Sequence, residues 1–216
     1  MDGQDGDKPA PGGTALVIAD MVNDLDFGEG EGMKPAVKAA AEAILRLRDE
    51  ADALGVPVIY VNDNYGRWHS ERSKIIEYCL REESVGADIV EMIRPRDNDY
   101  FVIKSQFSGF YASSLPVLLP KLKANRLVLT GVAADICVLF TAADAHMREY
   151  GLWVPRDAVA AASRDRLNWS LEIMRNSMGA EICPTDQLKL VEWVEKGEGG
   201  REFLPHGNMP AKEEAK

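Results

Sequence analysis

The chain predicts an α/β fold: one three-layer domain with a mostly parallel sheet between two layers of helices. Three observations carry the prediction. Short apolar runs alternate with longer segments of helical periodicity along most of the length. The runs are continuously apolar, as strands buried on both faces are. Several of them end at a polar residue, where an open parallel sheet presents its chemistry.

Taken in order, residues 1–13 are acidic and rich in Gly and Pro, and read as a disordered leader. Thr14 to Ala19 is the first buried strand and stops at Asp20. Residues 34–54 place Val37, Ala40, Ala41, Ile44, Leu45 and Leu47 at helical spacing, and Gly55 ends them. Val58 to Val61 is the second strand, followed by the polar loop Asn62 to Ser70. A helix is predicted over 70–80, irregular charged chain over 82–99, and a third strand from Tyr100 to Ile103, ending at Lys104. Residues 113–123 hold a helix with Pro116 near its first turn. Residues 126–129 are the fourth strand, and a helix covers 136–149. Leu152 to Val154 is the fifth strand, a helix covers 165–178 up to Gly179, 180–182 is a short sixth strand, and 185–195 is a last helix. The folded domain is thus 14–195. Residues 196–216 are a Gly- and charge-rich tail, either disordered or an arm that packs on a neighbouring subunit through Phe203 and Leu204.

Composition narrows the function. A chain of 216 residues with 46% hydrophobic content can bury a sizeable core. Its formal net charge of −10 argues against a nucleic-acid backbone or an anionic membrane as the main partner. No apolar run approaches the ~20 residues of a membrane span. The first residues lack the basic and apolar regions of a signal peptide, so a cytoplasmic location is expected. Cys79, Cys137 and Cys183 make an odd count without framework spacing, which reads as free thiols.

Asp20, Lys104 and Cys137 each fall at or just past a strand end, so a carboxylate, an ammonium and a thiol can converge in one crevice. A cysteine where a strand turns into a helix N-terminus has its thiolate favoured by the free N–H groups and dipole of the first turn. Asp20 can take the thiol proton and return it to a leaving group. Lys104 can hold Asp20 ionised and favour the thiolate. Asp135 suits an N-cap, placing Cys137 near the second helical residue, where its N–H and that of Ala133 can receive an oxyanion. Each residue also has a plain reading: an inert core thiol, a turn carboxylate, a surface lysine. Cys79, Cys183 and His146 fit packing roles, and His206 lies in the tail. Asp63 and His69 are too few to make a metal site.

The segments LVIADMVNDL (16–25), VIYVNDNYGRW (58–68), VIKSQFSGFYASSL (102–115) and LVLTGVAADICVLFTAADAHMREY (127–150) carry a resemblance. The chain resembles the isochorismatase-like cysteine hydrolases, which include nicotinamidases and N-carbamoylsarcosine amidohydrolases. That resemblance implies a six-stranded parallel sheet, an Asp20-Lys104-Cys137 triad and a cis peptide at Val132-Ala133, just before the second oxyanion donor. Two departures matter. The metal-binding Asp-x-His pair of nicotinamidases is replaced by Asp63-Asn64-Tyr65, which argues against that activity. Members that cleave the vinyl ether of isochorismate lack the cysteine, which Cys137 here supplies. The expected activity is therefore cleavage of a C–N bond in a small amide or ureide through a Cys137 thioester, without metal or cofactor. A vinyl-ether hydrolase and a non-catalytic binding member are the alternatives. Asn23, Asn62, Asn64, Trp68, Phe107 and Phe110 flank the triad segments and are the expected substrate contacts, with ordinary loop and packing duty as the alternative for each. The family is commonly oligomeric, so a homo-oligomer is expected.

Overall fold

The computed structural model describes residues 9–68 and 70–198. Its strands are β1 (Thr14–Ala19), β2 (Val58–Asp63), β3 (Tyr100–Lys104), β4 (Arg126–Val132), β5 (Gly151–Trp153) and β6 (Val159–Ala160). Its helices are α1 (Gly30–Leu54), α2 (Arg72–Cys79), α3 (Ala87–Met92), α4 (Leu115–Lys121), α5 (Leu139–Met147), α6 (Arg164–Met178) and α7 (Leu190–Glu198). The six strands form one sheet in which every strand pairing is parallel. Their order is β3-β2-β1-β4-β5, and β6 lies beside the C-terminal end of β4. The winding reverses between β1 and β4, so a crevice opens above the C-terminal ends of those two central strands.

Period-two alternation sorts the strand residues onto two faces. Leu16, Ile18, Val58, Tyr60 and Val128 pack with α1, α2, α3 and α7. Ala15, Val17, Ile59, Val61, Leu127 and Leu129 pack with α4, α5 and α6. All six residues of β1 are buried, which is why that run shows no polar alternation. Glycines end two helices where a left-handed residue is needed: Gly55 after α1 has φ 70°, and Gly179 after α6 has φ 65°. Ser163 caps α6 by accepting from the Arg166 N–H at 3.2 Å.

The structure corrects several sequence expectations. The end of the expected leader is folded: Ala10 is buried and donates to the Leu122 carbonyl at 2.8 Å, and Pro11–Gly13 form a 3-10 turn. Residues 1–8 lie outside the described residues. Helix α1 starts four residues before the expected position 34, because Gly30 and Met33 are buried ahead of Pro35. The charged stretch 82–99 contains α3, anchored by buried Ile89 and Val90. The expected strand 180–182 is a single bridge of Glu181 to Trp153. The Glu181 carboxylate accepts from the Ile182 and Cys183 N–H groups at 2.8 and 3.0 Å, turning the chain away from the sheet. The sixth strand is β6 instead. The last helix begins at Leu190, not 185. Asp157 holds Thr185 by its N–H at 2.9 Å and its hydroxyl at 2.6 Å, which keeps that stretch in a turn. Helix α7 then runs three residues past the expected boundary at 195, to Glu198. The rest of the expected tail, Phe203, Leu204 and His206 included, lies outside the described residues.

Candidate active site

Asp20 follows the last residue of β1 with φ 49°, a left-handed conformation that aspartate tolerates better than most residues. Its N–H donates to the Val61 carbonyl at 3.0 Å, and its Oδ1 accepts from the Asp63 N–H at 2.7 Å. The carboxylate is thus pinned to the neighbouring strand end. Lys104 closes β3, two strands away. With strands about 4.8 Å apart, its side chain must reach back across β2. It does so: Lys104 Nζ lies 2.8 Å from Asp20 Oδ2 and 3.6 Å from Cys137 Sγ. It also donates to the Gln106 carbonyl at 3.1 Å, and its side chain is 1% exposed. The Cys137 thiol is in turn within hydrogen-bonding reach of Asp20. One carboxylate, one ammonium and one thiol therefore meet at the switch point of the sheet.

The turn that delivers Cys137 differs from a helix start. The Val132-Ala133 peptide is cis. Ala134–Val138 then form a wide π-helical turn, in which the Ala133 carbonyl accepts from Ile136 at 3.1 Å and Val138 at 3.2 Å. The Cys137 N–H takes part in neither bond. Ala133, not Asp135, stands at the cap position. Asp135 Oδ2 lies 3.6 Å from Arg166 Nε, and its Oδ1 is buried without a hydrogen-bond partner. Gly131, just before this turn, has φ 112°. A Cβ there would stand 2.0 Å from the Ala19 carbonyl oxygen, so the close approach of β4 to β1 needs glycine.

Burial sets the protonation states. It raises the Asp20 carboxyl above its ordinary range, although Lys104 pulls the other way. Burial opposes the charge on Lys104, but Asp20 and the Cys137 sulfur more than offset that, and its affinity for the proton is raised. Burial, with the Asp20 charge beside it, pushes the Cys137 thiol up to about 12. Lys104 pulls toward the thiolate, but burial and the Asp20 charge pull harder the other way, beside a carboxylate able to take the proton.

The expected substrate contacts separate into two groups. Asn62 is fully buried, with its amide bonded to the Val22 N–H at 3.1 Å and carbonyl at 2.9 Å, so it holds the β1 loop. Phe110 is 3% exposed and packs against the Tyr150 ring at 5.8 Å. Asn23 and Asn64 accept from the N–H groups of Leu25 and Gly66, two residues on, at 2.7 and 2.9 Å. Each of these four has a structural partner. Trp68 and Phe107 are 75% and 54% exposed, and Phe107 meets Phe140 with ring centroids 5.6 Å apart. Sequence reasoning missed the place of Asp63 beside the triad. Its Oδ2 lies 3.7 Å from Lys104 Nζ, and strand register pairs the two residues. The polar run after β2 was the available signal. Asp63 Oδ1 accepts from the Tyr65 N–H at 2.6 Å. Among the described residues no group of three or more His, Cys, Asp or Glu could hold a metal ion, and His69 lies outside them.

A thiol, a buried carboxylate and an ammonium thus meet at the switch point of a parallel sheet. The Isochorismatase domain model matches residues 14–187, and the chain belongs to the isochorismatase family. It is 40% identical over 174 residues to the uncharacterized isochorismatase family protein YaaI of Bacillus subtilis, covering 81% of this chain and 95% of that one. The crystal structure of N-carbamoylsarcosine amidase from Thermoplasma acidophilum superposes with a TM-score of 0.63 at 31% identity, over 82% of this chain and 98% of that one. A cysteine hydrolase from Pseudomonas syringae shares the fold with a TM-score of 0.69 at 20% identity, over 87% and 94% of the two chains. Members of the family are hydrolases, amidases acting on C–N bonds among them, and this chain is one of the family.

Proposed function

We propose that the protein hydrolyses a C–N bond of a small amide or ureide through a thioester on Cys137. The observation that carries this reading is the Lys104 ammonium lying 2.8 Å from Asp20 and 3.6 Å from the Cys137 sulfur. Sγ attacks the carbonyl carbon as its proton passes to Asp20. The charge that gathers on the carbonyl oxygen is received by the N–H groups of Ala133 and Cys137. Asp20 returns the proton to the nitrogen, the C–N bond breaks, and ammonia or an amine leaves. A water then gives a proton to Asp20 and its oxygen to the thioester carbon. Collapse expels the sulfur, which recovers its proton from Asp20, and the acid departs. Lys104 keeps its charge throughout and orients both partners. No step uses a metal or cofactor. Trp68 and Phe107 are the remaining substrate contacts of this reading, with Asp63 added beside Lys104. The similarity to an N-carbamoylsarcosine amidase supports an amide or ureide over other substrates. A vinyl-ether hydrolysis would leave the Cys137 thiol without a task.

The reading is tested by acid-quenching turnover of the protein with a small amide that it consumes. The expected result is an acyl mass increment on the peptide that carries Cys137, and a rate unchanged by exhaustive chelation. Turnover without any covalent increment, or activity lost on chelation and restored by zinc or iron, overturns it. We further propose that the protein is a homo-oligomer. Exposed Phe107 and Phe140 in ring contact, and exposed Trp169 and Ile173 one turn apart on α6, support this, since adjacent exposed apolar side chains mark association surfaces.

A further inference from the structure

A second concavity lies away from the triad. Its volume is about 570 Å³, and its wall includes Arg126 and Gly151 at the starts of β4 and β5, Arg156, Arg175, Glu181 and Trp193 of α7. Strand β4 has seven residues, so its start and the crevice end are about 20 Å apart. The site is therefore separate from the catalytic crevice.

Its charge is out of keeping with the rest of the molecule. The chain carries a formal net charge of −10, yet three guanidinium groups face one carboxylate around this cavity. Seven other arginines, Arg48 and Arg166 among them, have an ion-pair partner. Among the described residues Arg126, Arg156 and Arg175 have none, a property they share with Arg67, Arg72 and Arg164, but only these three line one cavity together. Burial opposes the Glu181 charge, but hydrogen bonds from the Cys183 thiol and from the Cys183 and Ile182 N–H groups outweigh it and hold the carboxyl below its ordinary range. It offsets one of the three charges and leaves an excess of two.

Arg126 is the one of the three with a buried polar atom left unbonded. Its guanidinium lies 3.9 Å from the centre of the Trp193 ring and donates to the Trp193 carbonyl at 3.2 Å. Its Nε is buried without a hydrogen-bond partner, and so is the indole N–H of Trp193. Burial without a counter-charge lowers its hold on the proton. Unmade hydrogen bonds on a half-buried cation are costly, and each is a place where a ligand acceptor stabilises the fold. Arginine forks match the oxygens of phosphate and carboxylate in geometry as well as charge. The volume is within the usual range for a small-molecule site, about 300–1,000 Å³.

We propose that this cavity binds a small anionic molecule through a group with several oxygens, a phosphate or a polycarboxylate, held by Arg126, Arg156 and Arg175. The test is isothermal titration calorimetry of the full chain with inorganic phosphate and, separately, with citrate, at ionic strength held constant with chloride. One saturable site per chain is expected for at least one of the two, and the tighter anion identifies the phosphoryl or the carboxylate source. Arg156→Gln and Arg175→Gln together are expected to weaken that binding about tenfold or more. Arg164→Gln, which removes an arginine outside the cavity, is expected to leave it unchanged. Both cavity side chains are exposed, so the melting temperature in chloride should match the wild type. If the double variant melts early, Arg156→Gln alone serves in its place. Absence of saturable binding by either anion, or binding undiminished in the cavity variant, overturns the proposal.

Discussion

In the proposed reaction Cys137 enters as a thiol. Its proton is held up to about 12 by burial and by the Asp20 charge, while burial raises Asp20 itself. A raised carboxyl is the better-matched base near neutral pH, since base strength and correct protonation are then both present. The sign follows directly. Asp20 must be ionised to act, so activity falls as pH drops through its raised pKa, and the acid limb of kcat/KM should lie above the ordinary carboxylate value of about 4. The coupled groups titrate together, so the limb belongs to the Asp20-Lys104-Cys137 set. Iodoacetamide labelling of Cys137 at pH 7 should be slower than that of a free cysteine, whose pKa is about 8.5, and should climb only at alkaline pH. Fast labelling at neutral pH would mean a resting thiolate and a different division of labour. The three residues were legible in the sequence because each sits at a strand end. Their protonation states were not, because desolvation depends on what the rest of the chain packs over them.

At the scale of elements, the turn between β4 and α5 decides whether the thiol meets its partners. Gly131 is its hinge. With φ 112° and the Ala19 carbonyl 2.0 Å from where a Cβ would stand, no side chain fits. Gly131→Ala should lower stability by about 2 kcal/mol or more from the backbone conformation and overlap, or roughly 4–8 °C in Tm, and should cut turnover in the protein that remains folded. Calorimetry with matched kinetics checks it, and an unchanged Tm would contradict the close β1–β4 approach. Apolar runs and glycine stops made β1, α1, β2 and the end of α6 readable. Two of the misread elements share one cause, side chains bonding backbone nearby. Glu181 caps Ile182 and Cys183 and breaks up the expected strand, and Asp157 holds Thr185 outside the expected helix. The π turn at Cys137 was unreadable for a related reason: apolar spacing predicts that a helix follows, not how wide its first turn is.

For the whole molecule, the parallel order was implied by alternation, and the switch point between β1 and β4 explains why residues 20, 104 and 137 meet. The sequence did not reveal which polar loop residues face a ligand. Asn62 and Phe110 look like pocket residues by proximity in the chain and are instead buried supports. Light scattering should return a mass that is a multiple of the 23.8 kDa chain, and a monomer at working concentration would remove the proposed role of the exposed aromatic side chains. The central claim, a sulfur nucleophile acting on a C–N bond, is tested most directly by ammonia release from a panel of small amides and ureides by wild type and Cys137→Ala. At least one substrate should release ammonia with the wild type, and the variant should lose that activity by about a thousandfold or more. Equal release by the two proteins would contradict the mechanism.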